Sequence, residues 1–501
     1  LTLYLFKIIY KFYFKKNGIK MLEKKTEYRY VNDLRRFAYT QRKLIEQKKT
    51  FIFLGLASIF LILVASLVEQ YVSLGNEQTF ILVAAAIIGG YMALNIGAND
   101  VANNMGPAVG GKVISVGAAV AIAAVCETSG ALLAGGDVVN TVSKGIISPG
   151  NDISINSFRY LMLSALLAAA LWINLATIFN SPVSTTHSIV GGILGAGLTV
   201  AGVTIVNWEM MAAIVASWVI SPLFGGLISA LLLYIIQSKI LNVKNKKHAA
   251  TTWLPILISL MAGAFTAYMA LKGFKKVYKA SSNEVYIYTF LSMVFAYFIS
   301  KPYIISKLKY LENKKNDIYT LFHLPLLLGV SLLCFAHGAN DVANAVGPLA
   351  AIVSTISSDA DITSKVSIPI WVMMIGASGI ALGLLLFGPK LIHTVGQKIT
   401  RLNAPRAYCV ALSSAITVLI ATTLGLPVSS THIAIGAIFG IGFLREIIEN
   451  PSNKDKIKIK SKRKLVRRRF LYSIAAAWVI TVPASAIMAG SIYYLFSISV
   501  F

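Results

Sequence analysis

Long apolar segments alternate with short polar segments along the whole chain. Residues 51–68 contain no charged side chain, and residues 157–179 contain only Arg159. Further apolar stretches of comparable length lie at 79–97, 113–135, 207–237, 252–272, 285–305, 319–337, 366–388, 407–424 and 470–497. A helix needs about 20 apolar residues to cross the hydrocarbon core of a bilayer, so the pattern predicts about eleven membrane-spanning helices. Two shorter stretches, 188–206 and 432–445, would bring the total to 12–13 segments.

The composition agrees with an all-α polytopic membrane protein. Hydrophobic residues make up 56% of the 501 residues, charged residues make up 13%, and the mean hydropathy is +0.71. Soluble domains contain about 25% charged residues. The three cysteines, Cys126, Cys334 and Cys409, lie in or beside apolar spans at unrelated spacings, so they define no disulfide framework and no metal cluster.

Positive charge is concentrated at two places next to apolar spans. The net charge is +26, and residues 1–50 carry 14 Lys and Arg against 4 acids while residues 451–469 carry 10 against 1. Such clusters are typical of cytoplasmic segments that face anionic lipid headgroups. No nucleic-acid reader motif accompanies them, which argues against a nucleic-acid partner. We therefore expect a multi-pass protein of the cell (plasma or inner) membrane, with residues 1–50 as a basic cytoplasmic segment and 51–68 as an extra N-terminal transmembrane helix.

Two phrases occur twice in the same order. GANDVANNMGP at 97–107 matches GANDVANAVGP at 338–348 in nine of eleven positions. NSPVSTTHSIVGG at 180–192 is echoed by GLPVSSTHIAIGA at 425–437. The two copies are 241 residues apart for the first phrase and 245 for the second, and this nearly constant offset indicates duplicated halves.

The predicted orientation makes these halves inverted. Counting crossings from a cytoplasmic N-terminus, the two GANDVAN copies approach from opposite sides of the membrane if 188–206 crosses. If 432–445 also crosses, the basic loop 451–469 falls on the cytoplasmic side. Inverted repeats are a hallmark of secondary transporters, whose sites form at broken helices near the midplane. We therefore predict an inverted-topology repeat transporter with broken or half-length helices at the midplane. Its expected parts are a first repeat at 79–237, connecting helices and basic loops at 238–318, and a second repeat at 319–497 that contains the basic loop 451–469. Lysines 272, 275, 276 and 279 conflict with this orientation, because they fall on the outer side.

The acid and amide side chains of the first phrase suit a cation. A charged carboxylate costs about 2.5–3.5 kcal/mol at the centre of a membrane helix, so Asp100 and Asp341 require a compensating cation, a proton or a water-lined cavity. Carboxylate and amide oxygens are ligands for hard cations such as Na⁺. The neighbouring Gly97, Gly106 and Pro107 are expected to weaken the helix and to free backbone carbonyls. The predicted cation-binding residues are Asn99, Asp100, Asn103, Asn340, Asp341 and Asn344.

The second phrase predicts a helix start at membrane depth. Unpaired N–H groups and a partial positive charge at such a start attract anions. Hydroxyl groups add neutral donors, and the absence of arginine from both copies favours reversible binding over tight storage. The predicted anion-binding hydroxyls are those of Ser184, Thr185, Thr186, Ser429, Ser430 and Thr431.

Three further titratable residues are candidates for coupling. Glu127 lies in the middle of an apolar span, where an acid favours a role in proton or cation coupling. His187 and His432 end the second phrases, and the sequence supports helix packing and a proton-sensing or substrate-contact role about equally. A serine hydrolase is disfavoured because no G-x-S-x-G elbow is present.

The four phrases together resemble the duplicated signature of the inorganic phosphate transporter (PiT) family, over roughly residues 79–497. The resemblance implies symport of inorganic phosphate with Na⁺ or H⁺ by alternating access, without an enzymatic cofactor. It implies that Asp100 and Asp341, with their neighbouring asparagines, bind the cation and help to define the phosphate cavity, and that the two Ser/Thr triplets contact phosphate. Glu127 matches an intramembrane glutamate that the family carries in its first repeat.

The chain also departs from that pattern. In the second half, Gly376 of IGASG is expected where the first half has Glu127, and Ala411 is expected where some relatives carry a further glutamate. This chain therefore has fewer intramembrane acids than those relatives.

Other functions remain open at this point. A permease for sulfate or another tetrahedral oxyanion would use the same donors. An uncoupled anion channel is disfavoured by the paired aspartates, and an intramembrane enzyme by the lack of a metal or nucleophile constellation. Homodimers are common for such scaffolds, although no sequence feature specifies an interface.

Overall fold

A computed structural model describes residues 47–70, 76–147, 153–179, 183–275, 277–357, 368–398, 402–449 and 468–500. In these ranges the regular structure is helical, apart from an isolated β-bridge between Ile147 and Val206. Residues 1–58 and 59–501 form two separate compact units, and only residues 47–58 of the first are described. Most of the basic segment 1–50 and of the basic loop 451–469 lies outside the described residues.

The described part of the chain contains thirteen long helices, which we label in chain order. They are α1 (Gln47–Gln70), α2 (Asn76–Gly110), α3 (Val116–Ala134), α4 (Ile155–Ile178), α5 (Thr185–Ala201), α6 (Trp208–Ile236), α7 (Lys246–Tyr268), α8 (Ser282–Leu308), α9 (His323–Ser357), α10 (Ile370–Lys398), α11 (Ala404–Thr423), α12 (Ser430–Glu449) and α13 (Arg468–Val500). Short helices lie at Gly136–Asn140 and Lys315–Thr320.

All thirteen helices are long and apolar enough to cross a bilayer. Two stretches were too short or too glycine-rich to assign from the pattern: 188–206 overlaps the helical span Thr185–Ile205, which begins with α5, and 432–445 lies in α12. The prediction of an all-α polytopic protein with 12–13 segments is therefore confirmed. Six helices, α3 to α8, separate α2 from α9, so α2 and α9 run in opposite directions when each helix crosses once.

The motif helices α2 and α9 each pack against a helix of the other half. A Cβ on Gly97 in α2 would lie 2.0 Å from the carbonyl oxygen of Ile380 in α10, and a Cβ on Gly338 in α9 would lie 2.0 Å from the carbonyl oxygen of Glu127 in α3. Only glycine permits backbones to approach this closely. The two contacts are equivalent, because Gly97 and Gly338 are the first residues of the two GANDVAN copies.

This packing corrects one expectation about the second half. Since Gly97 meets Ile380 and Gly338 meets Glu127, the residue equivalent to Glu127 is Ile380, not Gly376. A second glycine pair supports the same alignment: a Cβ on Gly130 would lie 2.0 Å from an oxygen of α9, and a Cβ on Gly383 would lie 2.1 Å from an oxygen of α2. An isoleucine therefore replaces the intramembrane acid in the second half.

The second motif helices, α5 and α12, show the same close packing. A Cβ on Gly195 in α5 would lie 2.1 Å from the Ala486 carbonyl oxygen in α13, and a Cβ on Gly440 in α12 would lie 2.1 Å from the Gly226 carbonyl oxygen in α6. These contacts fix α5 and α12 laterally and bring their first residues into the interior, where Ser184 and Ser429 are buried.

Candidate functional site

The first motif lies in the middle of two unbroken helices. Helix α2 continues through Pro107 to Gly110, and α9 continues through Pro348 to Ser357, so the expected weakening does not interrupt either helix. Proline has no N–H and therefore cannot bond the carbonyl four residues earlier, which belongs to Asn103 in one copy and to Asn344 in the other. The motif thus removes one helical donor without breaking the helix.

All six predicted cation-binding side chains are buried. The first asparagine of each copy is held in the same way: Asn99 Nδ2 donates to Thr177 Oγ1 at 2.9 Å, and Asn340 Nδ2 donates to Thr422 Oγ1 at 2.9 Å. Both threonines were missed in the sequence. They precede the second phrase at matching places, so extending the repeat comparison upstream would have found them.

The two aspartates accept hydrogen bonds from the second motif. Thr185 Oγ1 donates to Asp100 Oδ2 at 3.1 Å, and the equivalent Ser430 Oγ donates to Asp341 Oδ2 at 3.1 Å. Asp100 accepts a further hydrogen bond from Thr431 Oγ1, from the other half, at 3.2 Å. The hydroxyls predicted to hold an anion therefore lie directly against the carboxylates predicted to hold a cation.

The second asparagine of each copy, Asn103 or Asn344, bonds to the other half. Asn103 Nδ2 donates to Thr431 Oγ1 at 2.8 Å, whereas Asn344 Nδ2 lies 3.3 Å from Thr185 Oγ1 and 3.1 Å from Thr186 Oγ1. The four motif copies thus form one cluster at the junction of the halves.

The two remaining predicted hydroxyls cap helices. Ser184 Oγ accepts from the His187 amide at 3.1 Å at the start of α5, and Ser429 Oγ accepts from the His432 amide at 3.3 Å at the start of α12. Such caps satisfy one otherwise unpaired N–H group each. These serines therefore build the two helix starts in addition to being candidate ligands.

The two motif histidines contact each other. The rings of His187 and His432 have their centroids 4.4 Å apart, and the His187 ring stacks on Trp218 at 3.7 Å. His187 Nδ1 lies 2.7 Å from Ser184 Oγ. These contacts favour the packing role that the sequence supported equally with proton sensing.

A third histidine, which the sequence analysis missed, lies at the centre of the site. His337 is fully buried, and its Nε2 lies 2.8 Å from Asp341 Oδ2 and 3.7 Å from Asp100 Oδ2. Its Nδ1 lies 3.2 Å from Glu127 Oε2, and Asn104 Nδ2 donates to the other oxygen of Glu127 at 2.9 Å. Glu127 therefore joins the aspartate cluster through an imidazole.

The group formed by His337, Glu127 and Asn104 has no polar counterpart at the repeat-related positions. The residues equivalent to His337, Asn104 and Glu127 in the opposite halves are Ile96, Ala345 and Ile380. Because the partner residue is apolar, comparison of the two copies gave no signal for His337. Its position one residue before the second GANDVAN was the only available clue.

The cluster has the ligand atoms that a cation needs. Asp100, His337 and Asp341 each offer a ligand atom, and these atoms lie within 4.8 Å of one another. Among the six predicted cation ligands, three buried oxygens have no hydrogen-bond donor: Asn99 Oδ1, Asp341 Oδ1 and Asn344 Oδ1. Buried acceptors without donors are costly, and a bound cation would satisfy them.

Two inverted helical halves that enclose a buried cluster of acids, amides and hydroxyls define a membrane transporter. The particular family is shown by comparison: the chain belongs to the phosphate transporter family, whose model (PHO4) matches residues 96–489. The resemblance noted in the motifs is thereby confirmed, and the chain is a multi-pass phosphate transporter and not an enzyme.

Individual relatives agree with this family. A Helicobacter pylori (strain J99) protein named "Putative phosphate permease" is 46% identical over 432 residues, which cover 86% of this chain and 80% of the relative. A protein of the same description from Pyrococcus furiosus is 36% identical over 413 residues, covering 82% of this chain and 95% of the relative. A solved structure described as the sodium-dependent phosphate transporter is 36% identical, with a TM-score of 0.76, and covers 84% of this chain and 99% of that chain.

Proposed function

We propose that the protein is a symporter that moves inorganic phosphate together with Na⁺ across the cell (plasma or inner) membrane. The observation that carries this proposal is the pairing of anion donors with cation ligands in one buried cluster, in which Thr185 and Thr431 donate to Asp100 and Ser430 donates to Asp341.

This pairing favours coupling for an electrostatic reason. When phosphate takes the Thr185 and Ser430 hydroxyls as donors, Asp100 and Asp341 lose those hydrogen bonds and face another negative charge. Two like charges about 4 Å apart repel by ~4 kcal/mol at the effective dielectric constant of partly solvated protein sites. A cation at the carboxylates removes this cost, so phosphate and cation stabilise each other's binding.

The cation ligands in this proposal are the six motif side chains with carboxylate or amide oxygens: Asn99, Asp100, Asn103, Asn340, Asp341 and Asn344. The unpartnered oxygens of Asn99, Asp341 and Asn344 favour Na⁺, which needs acceptors only. The printed sodium dependence of the structural relative supports the same ion. A proton is the second candidate, and His337 in contact with two carboxylates is the observation that favours it.

The same cluster favours phosphate over the sulfate alternative. Phosphate at neutral pH carries at least one O–H group, whereas sulfate carries none. Buried acceptors such as Asp341 Oδ1 and Asn344 Oδ1 can accept from that O–H but would repel a bare sulfate oxygen. An uncoupled channel is disfavoured because its anion path would contain two uncompensated aspartates.

Alternating access would open the cluster to one side of the membrane at a time, with helices of the first repeat (79–237) and of the second (319–497) moving together in the pairs α2–α10 and α3–α9. The connecting segment 238–318 and the extra helix 51–68 would lie outside the exchange, and the N-terminus would be cytoplasmic. Assembly as a homodimer stays a prediction.

The test is uptake of radiolabelled phosphate into proteoliposomes, with a Na⁺ gradient and a pH gradient imposed separately. We expect an inward Na⁺ gradient to drive accumulation and sulfate to compete poorly. Accumulation driven by the pH gradient alone would select the proton, and uptake that ignores both gradients would overturn symport.

A further inference from the structure

We infer that Trp218 is a positioning residue that holds together the starts of the two motif helices, α5 and α12, and thereby sets the affinity for phosphate. The inference rests on the proposed function, because it concerns the anion-binding end of that site. Trp218 lies outside both duplicated phrases. The structure gives it two specific contacts, one to each helix start.

The first contact is made by the indole N–H. Trp218 lies in α6 and is buried, and its Nε1 donates to the Pro427 carbonyl oxygen at 3.2 Å. Pro427 belongs to the segment that leads into α12. Tryptophan in membrane proteins is enriched at the bilayer surface, where its N–H reaches water, so a buried indole requires an internal acceptor.

The second contact is made by the ring face. The Trp218 ring stacks on His187, with centroids 3.7 Å apart and an interplanar angle of 26°. His187 lies in the first turn of α5, and its amide bonds the capping hydroxyl of Ser184. One side chain therefore touches the first turn of α5 and the segment that precedes α12.

The bond from Trp218 is one of three side-chain hydrogen bonds to consecutive carbonyls at the entry to α12. The carbonyl of Leu426 accepts from Asn340 Nδ2 at 3.1 Å, that of Pro427 from Trp218, and that of Val428 from Thr186 Oγ1 at 2.9 Å. Three consecutive carbonyls are thus each engaged by a side-chain donor. Two of these donors, Trp218 and Thr186, come from the first half.

The arrangement matters for an anion because carbonyl oxygens repel it. The start of a helix attracts phosphate through its N–H groups, whereas a carbonyl that turns toward the same region opposes binding. Because each of the three carbonyls accepts a hydrogen bond from a side chain, none of them turns toward the region where phosphate would bind. Loss of the indole N–H would free the Pro427 carbonyl and weaken phosphate binding, while Asp100 and Asp341 keep their own contacts.

The test compares Trp218→Phe with Trp208→Phe. Trp208 is the matched control, because its Nε1 also donates to a backbone carbonyl, that of Val203 at 3.0 Å, but at an exposed place in the first turn of α6. For each protein we would measure equilibrium binding of radiolabelled phosphate to the purified protein and the kinetics of uptake in proteoliposomes. If Trp218→Phe does not fold, benzothienylalanine at position 218 replaces it in the comparison, because this residue exchanges the N–H for sulfur at nearly constant shape.

We expect the dissociation constant and the KM for phosphate to rise about fivefold in Trp218→Phe, as for the loss of one hydrogen bond, with a maximal rate within about twofold of wild type. Trp208→Phe should match wild type. Unchanged binding in Trp218→Phe and in the benzothienylalanine variant, or an equal loss in Trp208→Phe, overturns the inference. Wild-type uptake that ignores both ion gradients would instead overturn symport, and the binding comparison would still decide the role of Trp218.

Discussion

His337 and Glu127, which belong to different halves of the transporter, are joined by a contact of 3.2 Å between Nδ1 and Oε2. The other ring nitrogen of His337 lies 2.8 Å from Asp341. A neutral imidazole has only one N–H donor, so it cannot donate to two ionised carboxylates at once. The two contacts are satisfied together when the cluster carries one additional proton, or when a bound cation lies against one of the carboxylates.

An additional proton in this cluster predicts that Glu127→Gln will weaken the pH dependence of phosphate uptake. A glutamine amide can donate to a neutral imidazole, so the cluster no longer needs the additional proton. We expect uptake by the variant to vary less with pH than that of wild type. The measurement is Na⁺-driven uptake as a function of pH, with Glu209→Gln, an exposed acid in the first turn of α6, as the control. A profile identical to wild type would contradict a proton shared with Glu127.

A second prediction concerns Asp100, which accepts hydroxyl hydrogen bonds from both halves through Thr185 and Thr431. Asp100→Asn removes the charge but keeps the shape, and its amide cannot accept at both former oxygens. Loss of a charged contact of ~3 kcal/mol corresponds to about 100-fold, so Na⁺-driven uptake should fall by at least that factor.

The control for this prediction is Asp317→Asn, which changes a half-buried aspartate of the short helix Lys315–Thr320, outside the motif cluster. Both variants should elute as folded protein in detergent. Wild-type coupled uptake by Asp100→Asn would show that this carboxylate is not a cation ligand.

The repeat made much of this site accessible from the sequence. The duplicated phrases gave the aspartates, the asparagines and the hydroxyls, because each residue type recurs at the same place in both halves. His337 and Asn104 escaped because their equivalents are Ile96 and Ala345, so the comparison of halves hides them. Residues that occur in one half only cannot be found by comparing the two halves.

The alignment of Glu127 failed for a different reason. The two halves are offset by 241 residues at the first motif and by 245 at the second, but by 253 in α3 and α10, where Glu127 corresponds to Ile380. The connections between helices differ in length, so no constant offset applies. Only the contact of each helix with the opposite motif glycine fixes the register.

A third prediction tests that contact. Gly338→Ala would place a Cβ 2.0 Å from the Glu127 carbonyl oxygen, a distance that real structures do not contain, so α3 and α9 must separate. Overpacking of this kind costs about 1–3 kcal/mol or more. We expect a lower unfolding temperature in detergent and a loss of uptake, since the separation moves His337 away from Glu127.

Gly117→Ala is the matched change, because a Cβ on this glycine in α3 would meet nothing within 4 Å. It should be neutral or slightly stabilising, as alanine is a better helix former than glycine. Equal unfolding temperatures for Gly338→Ala and Gly117→Ala would refute the close approach of α3 and α9.

The last prediction concerns Asp137, which lies in the short helix Gly136–Asn140 and forms ion pairs with Lys272 and, at 3.3 Å, with Lys275. These lysines belong to the loop whose positive charge conflicted with the predicted orientation, and Asp137 supplies part of the compensating charge. Burial alone would raise the pKa of Asp137, but the hydrogen bond and the charge of Lys272, together with Lys275, hold this pKa below its ordinary value.

A carboxyl group whose pKa is lower in the folded state stabilises the protein above its unfolded pKa and loses that contribution as the pH falls through the folded pKa. The wild type should therefore unfold at a higher temperature than Asp137→Asn at neutral pH, and the difference should shrink only below about pH 4. Thermal unfolding in detergent across this range measures it. Lys272→Gln should reproduce the loss, whereas Lys279→Gln, an exposed lysine of the same loop, should not. A difference between wild type and Asp137→Asn that persists unchanged at acid pH would show that Asp137 stabilises the fold by packing and not by its charge.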